Sequence, residues 1–217
     1  MSEDFTGITG NKTMAAALVE TWERLTGRQT RLKTAMRIYK LNEVKHVKGV
    51  LGRLRPMVKE DEEWFLEWYA EFLREVMEEE PDPSRVKKQV LRYQTAEKLQ
   101  RGMMIWELKG KPVSMAGYSG PTPNGIRIGA VYTPPDLRRK GYASVCTAGL
   151  SQHLLSLGFQ FCFLFTDLLN PTSNHIYQQI GYEAVCDVDQ YEFLEKERMT
   201  SDENDRFAGR NELGIIH

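Results

Sequence analysis

The chain has 217 residues, and its 29 Lys and Arg residues nearly balance its 30 Asp and Glu residues, for a formal net charge of -1. A chain of this length buries about 70% of the surface that its unfolded form exposes, so it needs no disulfide or metal to hold a core together. Because nucleic-acid binders carry a basic excess, the near-neutral charge argues against a nucleic acid as the main partner.

The sequence also argues against a membrane, a secreted location and a metal site. Its longest apolar run is too short to span a bilayer, and residues 1–4 lack the basic and then apolar order of a signal peptide. Cys146, Cys162 and Cys186 match no zinc-ligand spacing and are odd in number, so we expect them to stay reduced. We therefore expect a cytoplasmic protein with no metal.

The N-terminal segment predicts one helix and one strand. Apolar residues at helical spacing from Met14 to Leu25 predict a helix that stops at Gly27, a residue typical of helix ends. Residues 35–41 form a strand-like run, and the glycines and lysines of residues 43–52 indicate a linker. We therefore interpret residues 1–51 as an N-terminal helix-strand extension and linker.

The middle of the chain predicts a strand, two helices and a β-meander. The strand covers residues 53–58 and the first helix residues 59–79. The second helix begins at Pro83 and runs to about Arg101. Turn residues then separate three strands, over 103–108, 112–118 and 126–133.

The following segment predicts a parallel strand-helix-strand unit. A single apolar helical face from Ala143 to Leu157 ends at Gly158, and the next run, residues 159–165, is almost wholly apolar, as expected of a strand covered on both faces. We expect a right-handed connection between the strands. A helix over 171–180 and a strand over 183–193 complete a mixed-sheet α/β domain over residues 52–195, and residues 196–217 are predicted to be a polar C-terminal tail.

Residues 131–144 place three consecutive cations, Arg138, Arg139 and Lys140, and then Gly141 between a strand end and a helix start. Free backbone N–H groups and the positive end of the helix dipole meet at such a junction, and a glycine lets an anion approach the backbone closely. A diphosphate would fit there. For a motif this short, an ordinary basic turn is the alternative.

Two motifs then give a family resemblance. Arg138, Gly141 and Ala143 fill the three defined positions of an Arg-x-x-Gly-x-Ala string. Asn170 follows a predicted strand, Tyr177 comes seven residues after Asn170, and Gly181-Tyr182 follows. Over about residues 52–193 the chain resembles the GNAT superfamily of N-acetyltransferases. The resemblance implies a GNAT-like acyl-CoA N-acyltransferase fold and acetyl-CoA as the co-substrate.

The resemblance also implies a role for individual residues. The strand end at Val131, Tyr132 and Thr133 would pair with the pantetheine arm of the coenzyme. The loop that would hold its pyrophosphate consists of Arg138, Arg139, Lys140, Gly141, Tyr142, Ala143 and Ser144. Asn170 would contact the coenzyme arm, with the start of a helix before Pro171 as the alternative role. Ser173 could serve the same wall, although capping explains it equally well. Tyr177 occupies the position of the general acid, with a packed core tyrosine as the alternative.

The implied reaction is direct attack of a primary amine, of a small molecule or a protein, on the acetyl thioester in a ternary complex. Some family members carry a base on the fourth strand where this chain has Arg127, which cannot accept a proton. Glu107, Asp167 or a water relay therefore remain candidates for the base.

The acceptor is expected to bind between the two early helices and the sheet. A non-catalytic CoA-binding regulatory or sensor module is the main alternative, a nucleotide-phosphate binder a weaker one, and a homodimer stays open.

Overall fold

The computed structural model describes residues 5–45, 47, 49–77, 80–95 and 100–194. The predicted polar tail, residues 196–217, lies outside these ranges. Eight strands and five α-helices are present in the described part of the chain, which confirms the predicted mixed α/β class. In chain order they are β1 (Gly7–Asn11), α1 (Lys12–Thr26), β2 (Thr30–Leu41), β3 (Arg53–Pro56), α2 (Glu62–Met77), α3 (Pro83–Thr95), β4 (Arg101–Leu108), β5 (Lys111–Ser119), β6 (Gly125–Tyr132), α4 (Tyr142–Ser156), β7 (Phe161–Asp167), α5 (Pro171–Ile180) and β8 (Glu183–Phe193).

The chain divides into two compact units. One comprises the residues up to Thr34 together with those from Val188 onward, and the other comprises Ala35–Asp187. The division falls inside β2 and β8. The domain boundaries expected from the sequence, before residue 52 and after residue 195, stay predictions.

In the smaller unit, α1 ends at Gly27, the residue that the sequence indicated, and is capped at its start by Asn11, which the sequence did not single out. The Asn11 side chain accepts a hydrogen bond from the Thr13 N–H (3.2 Å) at the start of the helix, and Gly27, with φ +64°, ends it. Strand β1 pairs antiparallel with β8, and Trp22 stacks on Phe193 with ring centroids 4.4 Å apart. The sequence did not predict β1, because its two glycines disfavour a strand unless a partner strand is present.

In the larger unit the strand order is β2-β7-β6-β5-β4-β3. Strands β6 and β7 run parallel and are joined through α4, as predicted. The other four neighbouring pairs in this order are antiparallel. The predicted second helix is wrong at its C-terminal end. Helix α3 ends at Thr95, and Arg101 pairs with Ser119 in the β4–β5 ladder, so strand pairing overrides the helical periodicity there.

Two separate apolar cores cover the two faces of this sheet. Along β4, Met104 belongs to one core, whereas Met103 and Ile105 belong to the other, because successive strand residues point to opposite faces. The first core includes Leu150 of α4 and extends to α5, and we call its side of the sheet the α4 face. The second includes Phe65 of α2 and extends to α3, and we call its side the α2 face.

A buried ion-pair network ties β3 to β4 and to the start of α2. Arg55 donates to Glu107 (2.6 Å) and to Asp61 (2.6 Å). The hydrogen bonds from Arg55, and next those from Arg53, lower the pKa of Glu107. Burial alone would raise the pKa of Asp61, but the hydrogen bonds from Arg55 and from the Val58 N–H, together with the charge of Arg55, lower it. Glu107, one of the candidate bases, is therefore held as a structural anion in this protein.

Replacing Arg55 with Met is expected to lower the Tm by about 5 °C or more at pH 7, because it leaves the buried Asp61 carboxylate without its cation and Glu107 with the exposed Arg53 alone. Both carboxyl pKa values are lowered by folding, so this stabilisation is complete above the unfolded pKa values near about 4 and is lost as pH falls below them. Thermal melts from pH 7 to pH 3 measure the effect. Arg53→Met is the control, since that side chain is 73% exposed and should shift the Tm by less than about 2 °C. Equal effects of the two changes would contradict the network.

Candidate functional site

The two parallel strands at the centre of the larger unit part from each other. Their ladder runs from Gly125 opposite Phe161 to Arg127 opposite Phe163 and ends there, although β6 continues to Tyr132. Strand β7 also continues, paired with β2 on its other side. Beyond Arg127 the facing backbone groups of β6 and β7 are therefore not paired with each other, and an extended ligand that carries amides can pair with such an edge.

A β-bulge in β6 lies on the edge of this opening. Gly129 stands opposite Gly117 and Tyr132 opposite Met115, so β6 has one residue more than β5 in this stretch. Within it, Ala130 adopts φ +49°, a conformation that costs a non-glycine residue about 1 kcal/mol. The extra residue changes the alternation of side chains: Ile128 packs in the α4-face core, whereas Tyr132 packs in the α2-face core.

Backbone N–H groups without acceptors in the described part of the chain lie at the start of α4. Arg139 and Gly141 both adopt left-handed conformations, with φ +62° and +81°, and the first bond of the helix runs from the Val145 N–H to the Gly141 carbonyl (3.1 Å). The N–H groups of residues 139–144 have no hydrogen-bond acceptor among the described residues. Consecutive free amides at the positive end of a 15-residue helix favour a phosphate group.

The predicted basic side chains of this loop do not all face the same way. Arg138 donates to the Thr133 carbonyl (2.9 Å) and forms an ion pair with Glu75 of α2, so it fastens the loop to that helix. Lys140 donates to the Asp136 carbonyl (3.0 Å). Arg139 has no side-chain partner among the described residues and remains available to an anion.

The start of α5 follows directly on the end of β7. Asn170 accepts a hydrogen bond from the Ser173 N–H (3.0 Å) and so caps the helix. The Asn174 amide group donates to the carbonyl oxygens of Asp167 (2.9 Å) and Asn170 (2.7 Å) and holds the strand end against the helix. Asn174 was not predicted from the sequence, although its four-residue spacing from the capping Asn170 was a usable signal. The Asp167 carboxylate, a second candidate base, accepts from the Leu169 N–H (2.7 Å).

Tyr177 packs at the edge of the α4-face core, and its ring centroid lies 5.9 Å from that of Tyr182. Burial raises the pKa of Tyr177 to about 12, so its hydroxyl stays protonated at neutral pH. The two tyrosines differ in their partners. The Tyr182 hydroxyl is bonded to the Ser151 hydroxyl (2.8 Å), whereas the Tyr177 hydroxyl has no partner among the described residues. Tyr177 is therefore the one of this pair whose proton is available to another group.

On the α2 face, the end of β6 meets a carboxylate. The Tyr132 hydroxyl donates to Glu71 of α2 (3.0 Å), and burial, followed by this hydrogen bond, raises the pKa of Tyr132 to about 12. The Glu71 side chain is 48% exposed. The Trp68 ring centroid lies 6.0 Å from that of Tyr132 and 4.7 Å from that of Trp64, so the two tryptophans pack next to Tyr132 on the α2 face. Glu71 was not predicted, because no sequence spacing links it to β6.

Solved structures resemble this fold at low sequence identity. A putative GNAT-family acetyltransferase from Novosphingobium aromaticivorans is 16% identical over 76% of this chain and 66% of its own, with a TM-score of 0.51. A GNAT-family acetyltransferase from Colwellia psychrerythraea is 12% identical over 87% and 65%, with a TM-score of 0.60. AAC(6')-Iy, solved with a CoA-linked acetylneamine bisubstrate analogue, is 17% identical over 62% and 92%, with a TM-score of 0.50. The chain thus spans about two thirds of the length of the first two proteins.

A comparison with family models gives a direct assignment. Residues 62–182 match the model described as the acetyltransferase (GNAT) family, whereas no curated protein matches the chain. Within the described residues, no helix is both long and apolar enough to cross a membrane. The matched segment contains the parted strands, the free amides before α4 and Tyr177, and it confirms the family that the two motifs indicated. The chain belongs to the GNAT family of acetyltransferases.

Proposed function

We propose that the protein is an N-acetyltransferase that transfers the acetyl group of acetyl-CoA to a primary amine by direct attack in a ternary complex. Family membership supports acyl transfer from CoA. The observation that carries the proposal is the opening between β6 and β7; the free amides before α4 follow β6 along the chain, and α5, which carries Tyr177, follows β7. Three free cysteines are consistent with action in the cytoplasm.

The coenzyme would enter on the α4 face. Its pyrophosphate would bind the amides of residues 139–144, supported by the Arg139 side chain, while Arg138 holds the loop in place. Its pantetheine arm would pair with the unpaired edge of β6 at Val131, Tyr132 and Thr133, as an added strand does. Asn170 and Ser173 would line the opposite wall at the end of β7.

The reacting thioester would lie where β6 and β7 separate, next to the bulge. A backbone N–H of residues 131–133 would stabilise the oxyanion of the tetrahedral intermediate. The amine would approach from the α2 face, where the half-exposed Glu71 can accept its proton. Collapse of the intermediate breaks the C–S bond and expels a thiolate. Tyr177 would donate its proton to that thiolate, whose basicity rises in an apolar site.

Two measurements test the proposal together. Calorimetry is expected to show one molecule of acetyl-CoA bound per chain, and a thiol-release assay with a panel of primary amines is expected to show amine-dependent CoA formation. Binding without release by any amine would contradict the enzyme and favour a CoA sensor, for which Arg127 at the position of the family's base is the supporting feature. Absence of binding would contradict both.

A further inference from the structure

We propose that the acceptor is an amine that also carries a carboxylate, as an amino acid does, and that Arg127 and Arg101 bind this carboxylate on the α2 face of the sheet. This inference rests on the proposed function and names the chemical class of its acceptor.

The two arginines lie in one row across three strands. Arg101 of β4 stands opposite Ser119 of β5, and Ser119 stands opposite Arg127 of β6. Directly opposed residues of antiparallel strands point to the same face, and the outer strands of such a row are about 10 Å apart. Ile126 and Ile128, the neighbours of Arg127, belong to the α4-face core, so Arg127 points to the α2 face.

Among the described residues, the two cations lack the carboxylate partner that several other arginines of this unit have. Arg53, Arg55 and Arg138 each bind a carboxylate. Neither Arg101 nor Arg127 forms an ion pair with any described carboxylate. Arg127 is exposed, and Arg101 makes one long hydrogen bond to Gln89 (3.4 Å) and lies 5.6 Å from the centroid of the Tyr93 ring. A carboxylate placed between the two guanidinium groups would relieve their mutual repulsion and satisfy their donors.

Open space adjoins Arg127 in the direction of the bulge. The next row of the sheet on this face consists of Met103 of β4, Gly117 of β5 and Gly129 of β6, so two of its three residues are glycines. A methyl group at Gly129 would meet no described atom within 4 Å, whereas one at Gly117 would meet the Tyr93 hydroxyl at 3.2 Å. Residues two apart on a strand are about 7 Å apart, so a small molecule above Gly129 can reach Arg127.

The far side of this space presents a carboxylate, that of Glu71, which also lies 3.5 Å from the Arg74 guanidinium. Beyond Gly129 the bulge directs Tyr132 to the same α2 face, and its hydroxyl holds the half-exposed Glu71 there. Along β6 the face therefore has a cation at Arg127, open floor at Gly129 and an anion at Glu71. A zwitterion matches this order when its carboxylate points to Arg127 and its amine to the opening between β6 and β7.

Matched pairs of acceptors test the inference: glycine, alanine, leucine and phenylalanine, each against its own amide. The amides keep the amine and lose the carboxylate charge. We expect kcat/KM to be about tenfold or more higher for the acids, as expected for loss of a charge-assisted contact worth about 1.4 kcal/mol. Arg127→Gln should reduce this ratio to less than about twofold without changing the Kd of acetyl-CoA. Lys111→Gln, which removes an exposed cation elsewhere on the same sheet, should leave the ratio unchanged.

The outcomes separate this inference from the proposed function. Acetylation of the amides as fast as the acids, or a ratio that Arg127→Gln leaves intact, overturns the inference while the enzyme stands. If acetyl-CoA binds and no acceptor reacts, saturation-transfer NMR of the CoA-loaded protein with the same acids and amides decides: binding of the acids alone supports the carboxylate site, and any other pattern overturns it. If acetyl-CoA does not bind, both proposals fail.

Discussion

Replacing Tyr177 with Phe is expected to lower kcat about 100-fold or more while the Kd of acetyl-CoA changes less than about twofold. The hydroxyl has no structural partner among the described residues, so its removal costs little packing, whereas a general acid contributes about 100-fold or more to a rate. A CoA-release assay measures kcat, and calorimetric titration measures the Kd of acetyl-CoA. Because the pKa of Tyr177 is raised to about 12, we also expect no loss of the acid form up to at least pH 9.

Tyr182→Phe is the matched control. Its ring contacts that of Tyr177, but its hydroxyl is bonded to Ser151 inside the core. Removing that hydroxyl should lower the free energy of unfolding by about 1 kcal/mol and leave kcat within about threefold. If both changes reduced kcat equally, Tyr177 would be a packing residue and the acid would have to be sought elsewhere.

Replacing Gly141 with Ala is expected to weaken acetyl-CoA binding about 100-fold. Gly141 has φ +81°, which L residues rarely adopt, and a methyl group there would lie 3.0 Å from Val50. Relief of that strain would move the amides proposed to hold the pyrophosphate, and several charge-assisted hydrogen bonds would then be lost together. Calorimetric titration with acetyl-CoA measures the effect.

Gly110→Ala separates binding from backbone strain. Gly110 has nearly the same φ, +77°, and lies in the β4–β5 turn, where a methyl group would meet nothing within 4 Å among the described residues. Both changes should lower the free energy of unfolding by about 1 kcal/mol, because both force a left-handed backbone on alanine. Unchanged acetyl-CoA affinity in Gly141→Ala, or equal loss in Gly110→Ala, would contradict the assignment of the phosphate site.

Local signals explain what the sequence predicted well. Helix α4 has a continuous apolar face and begins at a glycine, and α5 begins with Asn170 and a proline, so both helices and the loop before α4 could be located from neighbouring residues alone. The same is true of α1 and its end at Gly27. These features depend on chain geometry within a few residues.

Register and tertiary contacts explain what the sequence missed. The bulge at Ala130 exists only in relation to β5, and no property of alanine signals a positive φ. The pairing of Gly117 with Gly129 and the contact of Glu71 with Tyr132 likewise depend on which strands and helices become neighbours. The two faces of the opening could therefore not be distinguished before the fold was known.

A crystal structure with acetyl-CoA bound tests the central claim most directly. We expect density for the pyrophosphate within about 3.2 Å of several backbone nitrogens of residues 139–144, and the thioester between β6 and β7 with its sulfur facing Tyr177. Coenzyme bound anywhere else on the protein, or an opening between β6 and β7 that stays empty at saturating acetyl-CoA, would contradict the account.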